Sequence, residues 1–175
     1  RTAHMAMQVL RLLLNFAIDR GEILHNPAIR PGKYRSKQFE PWSDDAIAQF
    51  REKNADDDQM LRALDIGLYT GQRRGDVVSM TAKHYNGQKI SVVQEKTDER
   101  LWIPVHSALK ARLDQKKQFM LLVTATGKQF TATHFGHVFH DAVLKADLDG
   151  LSFHGVRVTA AMKLAEARSE EHTSE

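Results

Sequence analysis

Apolar residues recur at helical spacing from about Met5 to Arg20, where Val9, Leu12, Leu13, Phe16 and Ala17 form one stripe and Gly21 marks the stop. Asn26-Pro27 then predicts a turn, and residues 28–41, polar and basic with Pro31-Gly32 and Pro41, read as a linker. A new start follows. Ser43 suits an N-cap, Asp44-Asp45 favour a first helical turn, and Ala46 stands where a capping box would place Glu. This helix is expected to run to about Lys53. A second begins near Asp57 and carries Met60, Leu61, Leu64, Ile66 and Leu68 to the Thr70-Gly71 break, and a short third covers about Arg73–Met80.

The period then changes. Alternation over Lys89–Gln94 and again over Leu101–Val105, with the polar stretch Glu95–Arg100 between, predicts a β-hairpin, with His84-Tyr85 on a third strand. Pro104 makes the last strand an edge or turns it out of the sheet. Helices are expected at about Ser107–Met120, Ala132–Ala146 and Phe153–Ala167. The sum is an α+β fold, mostly helical, with one small antiparallel β-sheet and one orphan helix before it.

A chain of 175 residues suffices for one domain with a proper core and a piece of a second. The absence of cysteine excludes disulfides and thiolate metal sites, and fits a reducing cytoplasm. No apolar run reaches membrane-spanning length, and no signal-peptide pattern opens the chain. Formal charge is +3. The last eight residues, Arg168 to Glu175, read Arg-Ser-Glu-Glu-His-Thr-Ser-Glu, the in-frame translation of a short-read sequencing adapter, and are expected to be an artefact rather than a frayed acidic tail. Without that octet's one Arg and three Glu, the 25 basic and 22 acidic side chains reduce to a net +5 on residues 1–167. This basic balance favours a polyanionic partner.

The candidate chemistry lies in two segments about eighty residues apart, Thr70-Gly71-Gln72-Arg73-Arg74-Gly75-Asp76 and His154-Gly155-Val156-Arg157. Both open predicted helices. Arg73 follows a Thr-Gly break, with Asp76 near enough to orient Arg73 or Arg74, and His154 and Arg157 stand i and i+3 on one face. Lys96 lies in the predicted hairpin turn. Non-bridging oxygens of a phosphodiester gain charge as it reacts, and preorganised cations stabilise that charge. Arginine bonds two oxygens with its planar fork and keeps its proton, while histidine exchanges protons near neutrality.

These motifs, in this order, resemble those of the tyrosine recombinase family, the phage-type integrases. The likeness spans nearly all of residues 1–167, with Pro41-Trp42-Ser43-Asp44-Asp45 looking like the start of that family's catalytic domain. It implies residues 1–27 as the last helix of a core-binding domain, 28–41 as linker and 42–167 as catalytic domain. It implies Arg73 and Arg157 as the catalytic arginines, Lys96 as general acid, His154 as an aid to proton transfer and Asp76 in support. Candidate DNA contacts are Arg74, Thr97 and, in the basic linker, Arg35 and Lys37, beside Arg30 and Lys33. The implied partner is double-stranded DNA, with a homotetramer for the parent and no membrane. The reaction needs no metal or other cofactor, since a 3′-phosphotyrosyl link conserves the bond energy.

The sequence departs from the family pattern after Arg157. The nucleophilic tyrosine and a second histidine or tryptophan are expected there, yet Tyr34, Tyr69 and Tyr85 all lie upstream, and His172 falls in the octet. Gly155 and Val158 also replace more polar residues. The expectation is a fragment that holds the electrostatic half of the site, lacks a nucleophile and exposes an apolar patch. Two other classes compete: a non-enzymatic DNA-binding protein of the same fold, and a helical interaction domain. Taken singly, Arg73 is explained by an ion pair with Asp76, His154 by a helix cap and Lys96 by turn solubility; their order together is not. His134, His137 and His140, three apart on one helix, rotate too far per step to chelate one ion comfortably. Phe130, Phe135 and Phe139 are expected in the core rather than as a base-stacking platform, and Trp42 and Trp102 as packing anchors.

Overall fold

The computed structural model describes residues 2–28, 38–94, 98–115 and 119–173; of residue 2 and residues 170–173 only the backbone is described. The chain forms two compact units, Arg1–Gln38 and Phe39–Glu175.

The first unit holds α1 (Thr2–Asp19). It ends in a Schellman cap, with Gly21 N–H donating to Ile18 O at 2.8 Å and Glu22 N–H to Ala17 O at 2.9 Å. The following segment folds back on the helix through Asn26. Its amide donates to Arg11 O at 3.0 Å and to Asn15 Oδ1 at 2.5 Å, and its Oδ1 accepts from Ala28 N–H at 2.8 Å. The predicted stripe of Val9, Leu12, Leu13 and Phe16 is exposed within this unit.

The second unit contains α2 (Asp44–Lys53), α3 (Asp58–Thr70), α4 (Arg74–Ser79), β1 (Lys89–Val93), β2 (Arg100–Pro104), α5 (Ser107–Gln115), α6 (Ala132–Lys145) and α7 (Phe153–Thr173). Its helix starts follow local chemistry. Ser43 accepts from Ala46 N–H, Asp57 from Gln59 and Met60 N–H, and Thr131 from His134 N–H. Helix α3 is the central element, with Met60, Ala63, Leu64 and Ile66 all at 1% exposure or less. Around it Trp42, Phe50, Phe135, Phe139 and Phe153 pack with ring centroids 5.1–6.1 Å apart.

Charged residues are also buried here. Asp65, 3% exposed, accepts from Arg51 Nη2 at 2.7 Å and from Arg112 Nε at 2.5 Å. Arg62, 1% exposed, donates to Asp58 at 3.5 Å and to Arg112 O at 3.3 Å. Carboxylates thus meet the guanidiniums of α2, α3 and α5, as buried charges require.

Four expectations need correction. The sheet has two antiparallel strands, paired Lys89 to Pro104 through Val93 to Arg100. His84 does not lie on a third strand: Ala82–His84 is a short 3-10 turn, and Tyr85 makes only an isolated bridge to Ile90. The backbone of residues 80–82 is taken instead by the segment after α5, through Ala82 N–H to Phe119 O at 2.7 Å and Leu121 N–H to Met80 O at 2.9 Å. The same pairing keeps Met120 out of α5, since Met120 bridges Thr81. Trp42 is buried as expected, but Trp102 is 59% exposed, on the outer face of the hairpin beside its cross-strand partner Ser91. Finally, α7 runs past Ala167 to Thr173, through most of the octet. No Gly or Pro stands there to stop it, and Arg and Glu propagate a helix well.

His134, His137 and His140 stand exposed on α6, and no group of three or more His, Cys, Asp or Glu among the described residues could hold a metal ion. Phe130, Phe135 and Phe139 are core residues. Met162 and Leu164 lie exposed on α7. No described helix is long and apolar enough to cross a membrane.

Candidate functional site

Helix α3 stops because Gly71 adopts a left-handed conformation, φ 61°, its N–H donating to Gly67 O at 2.9 Å. The chain turns through buried Gln72, and Arg73 takes extended φ and ψ of −69° and 153° as the residue capping α4. This break brings Arg73 out of the helix face that α3 buries. Its Nη1 donates to Gln94 Oε1 at 3.0 Å. Asp76, in the first turn of α4, is buried.

The second segment opens α7. Ser152 provides the cap, accepting from Gly155 N–H through both its carbonyl at 2.9 Å and its hydroxyl at 3.4 Å. His154 is therefore not the cap; it projects from the first turn, exposed, with the Phe39 ring 4.2 Å away. Residues 39–42 lie along α7. Trp42 N–H donates to Thr159 Oγ1 at 2.6 Å, Thr159 Oγ1 donates to Trp42 O at 3.1 Å, and Trp42 Nε1 donates to Ser152 O at 2.9 Å. Phe39 and Glu40, placed in the linker on sequence grounds, thus sit in the second unit. Their closeness also accounts for Gly155. A Cβ there would run into the Glu40 carbonyl oxygen and lie 3.1 Å from Trp42 Cδ1. A polar side chain has no room at that position.

The two segments meet electrostatically. Partial desolvation by its neighbours lowers the pKa of the His154 imidazole although its side chain reaches solvent, and the cations Arg157 and Arg73 push it the same way. Arg157 is lowered by burial and then by Arg73, with Asp76 acting in the opposite sense. Two guanidiniums, a carboxylate and an imidazole from segments about eighty residues apart therefore share one neighbourhood. The imidazole is neutral at neutral pH and can accept a proton. The two guanidiniums repel each other, and an anion between them would relieve that repulsion.

Other predicted residues fare differently. Arg74 is exposed and its guanidinium lies against Gly136 of α6. Lys96, Thr97, Arg35 and Lys37, with Arg30 and Lys33, fall outside the described residues. Tyr34 also falls outside the described residues; Tyr85 donates to Asp114 at 2.8 Å, and Tyr69 stacks on His106 at 4.3 Å and meets Arg51. Gln94, Gln72 and Phe39 were not singled out from the sequence. Their involvement depends on contacts between distant segments, which no local pattern announces.

Residues 43–173 match the model of the Phage integrase family. The chain belongs to this family, whose members include tyrosine recombinases. No match was found among curated proteins. Among solved structures, lambda integrase bound to DNA superposes with a TM-score of 0.78 at 20% identity, covering 90% of this chain and 62% of that one. The integrase of transposon Tn1549, in complex with transposon right-end DNA, gives 0.77 at 17% identity, covering 95% and 67%. The integrase of mycobacterium phage Brujita gives 0.65 at 17% identity, covering 95% and 59%. The chain thus spans about six tenths of the length of the lambda integrase structure it matches.

Proposed function

We propose that this chain binds duplex DNA and encloses one backbone phosphate between Arg73, Arg157 and His154, and that the protein it represents breaks and rejoins DNA strands by transesterification. The observation that carries the reading is the packing of α7 against the end of α3, where Gly67 meets Phe153 and Val156 and Gly71 meets Ala160, which sets Arg73 near enough to bear on His154 and Arg157. Each has a part. Arg73 and Arg157 would hold the two non-bridging oxygens and offset the charge that builds on them in the transition state. Neutral His154 would take or relay a proton at the reacting oxygens. Asp76 would limit the repulsion between the arginines before DNA arrives. Lys96 is the proposed general acid for the departing 5′-hydroxyl, and Arg74, Thr97, Arg35 and Lys37 are proposed contacts to the DNA backbone. The domain division at residues 28–41 belongs to the same reading.

In the reaction proposed here a tyrosine beyond Arg157 attacks phosphorus; Tyr34, Tyr69 and Tyr85 all lie upstream, and the hydroxyls of Tyr69 and Tyr85 are engaged with Arg51 and Asp114. The chain is therefore expected to bind DNA without forming a covalent adduct. In the full protein a tyrosine would make the 3′-phosphotyrosyl link, in a tetramer such as lambda integrase forms on a Holliday junction. The site of action would be the cytoplasm. Two assays test this. Affinity for duplex DNA should fall steeply as salt rises, because phosphate contacts release counterions. Incubation with a nicked suicide substrate should leave no denaturation-resistant protein–DNA complex. Salt-independent binding would remove the phosphate reading, and a covalent complex would place the nucleophile in this chain.

A further inference from the structure

The Arg73 guanidinium is held from one side by a chain of amides. Arg73 Nη1 donates to Gln94 Oε1 at 3.0 Å, Gln94 Nε2 donates to Gln72 Oε1 at 3.1 Å, and Gln72 Nε2 donates to Thr70 O at 3.0 Å. The chain begins on the last residue of α3 and ends on the cation. Gln72 is buried and Gln94 half-buried, so water competes poorly for these bonds. The backbone of Gln94 is fixed as well. Its N–H donates to Glu99 O at 2.9 Å and its carbonyl accepts from Asp98 N–H at 2.8 Å, at the foot of the hairpin turn just beyond the last strand pair, Val93 with Arg100.

The chemistry of an amide matters here. A carboxylate at position 94 would hold the guanidinium equally well but would cancel the charge that a phosphate needs. An apolar side chain would leave the fork unaimed. An amide directs one N–H and leaves the net charge and the other donors available. We infer that Gln94 is a positioning residue that aims Arg73 at the phosphate without neutralising it, braced from the foot of the hairpin turn and from α3 through Gln72. This rests on the phosphate reading of the site.

The test is a double-mutant cycle on duplex affinity, read by fluorescence anisotropy at low salt with the whole chain. Gln94→Met keeps length and removes the hydrogen bonds. It should weaken binding about three- to tenfold, the scale of one ordinary net hydrogen bond. Gln94→Glu should weaken it further. In an Arg73→Ala background Gln94→Met should cost almost nothing, whereas a general defect of folding would persist there, and Gln94→Glu should keep only the cost of its added charge. Thermal melting followed by circular dichroism reports the fold of each variant. Should Gln94→Met unfold, Gln94→Ala, which removes the same acceptor, carries the same cycle. Unchanged binding in Gln94→Met, or a cost undiminished without Arg73, overturns the positioning role. If Arg73→Ala itself binds like the parent chain, the phosphate reading fails and this inference falls with it. If Arg73→Ala weakens binding and Gln94→Met does not, only the role of Gln94 is lost.

Discussion

Two arginine clusters in the second unit obey opposite rules. In one, Arg51, Arg62 and Arg112 share Asp58 and Asp65, with nitrogen–oxygen distances of 2.5–3.5 Å. Each guanidinium there has an acidic partner, and Asp65 is 3% exposed. In the other, Arg73 and Arg157 act on each other and on His154, with Asp76 the carboxylate that opposes them. The first cluster is closed and binds three helices together. Both hold one guanidinium more than they hold carboxylates, three to two and two to one, but in the second Arg73 is held by a neutral amide instead of a carboxylate. Arginine alone says little about function; what the guanidinium is bonded to, a carboxylate or a neutral amide, separates a structural clamp from a site that can take an anion.

The contrast can be broken from either side. The largest effect is expected in the closed cluster. Asp65→Ala leaves Arg51 and Arg112 without their shared acceptor and should cost about 2–3 kcal/mol in urea unfolding, below the range for fully buried pairs because Arg51 is 40% exposed. A loss near zero would mean the clamp is ornamental. Gly155→Ala comes next. Its methyl group must displace the Glu40 backbone and Trp42, an overpacking cost of about 1–3 kcal/mol, and a melting temperature equal to that of the parent chain would contradict the close approach.

In the open cluster the same kind of substitution should do the reverse. Arg73→Ala removes the repulsion but also the hydrogen bond to Gln94, and Arg157→Ala removes the repulsion alone, so unfolding should change by no more than about 1 kcal/mol, the size of one net hydrogen bond. Each should instead weaken DNA binding and lower the salt slope by about 1. Destabilisation with an unchanged slope would make these arginines structural. The smallest effect concerns pH. His154 titrates below its ordinary value in the folded chain, so the unfolded chain binds the proton first as pH falls. Its contribution to stability is present above about pH 6.5 and is lost as pH falls from there through the folded value. Arg157→Gln should raise the His154 pKa and narrow that window, as read by imidazole NMR.

Much of this was legible before any coordinates. Ser43, Asp57 and Gly71 mark helix ends through bonds to residues within four positions, so local sequence suffices. The pairing of residues 80–82 with 119–121 was not legible, because the turn at Thr81 and His84 depends on where a strand-like segment nearly forty residues away returns. Trp102 was misread for a related reason. Alternation identifies two faces of a strand, but only the packing of the hairpin decides which face is wet. At the site, the motif order brought out Arg73, His154 and Arg157, since both segments open helices. The amide that aims Arg73 lay hidden in an ordinary strand end, and Gly155 looked like a departure until Glu40 was seen against it.

The most direct measurement is the NMR titration of the His154 imidazole with and without duplex DNA, in the parent chain and in an Arg73→Ala/Arg157→Ala double variant. A phosphate seated among these groups offsets both cations, so DNA should raise the His154 pKa in the parent chain by more than it raises those of His134, His137 and His140, and the excess should vanish in the double variant. A His154 pKa that ignores DNA, or that moves equally in both chains, would show that no single phosphate sits among residues 73, 154 and 157.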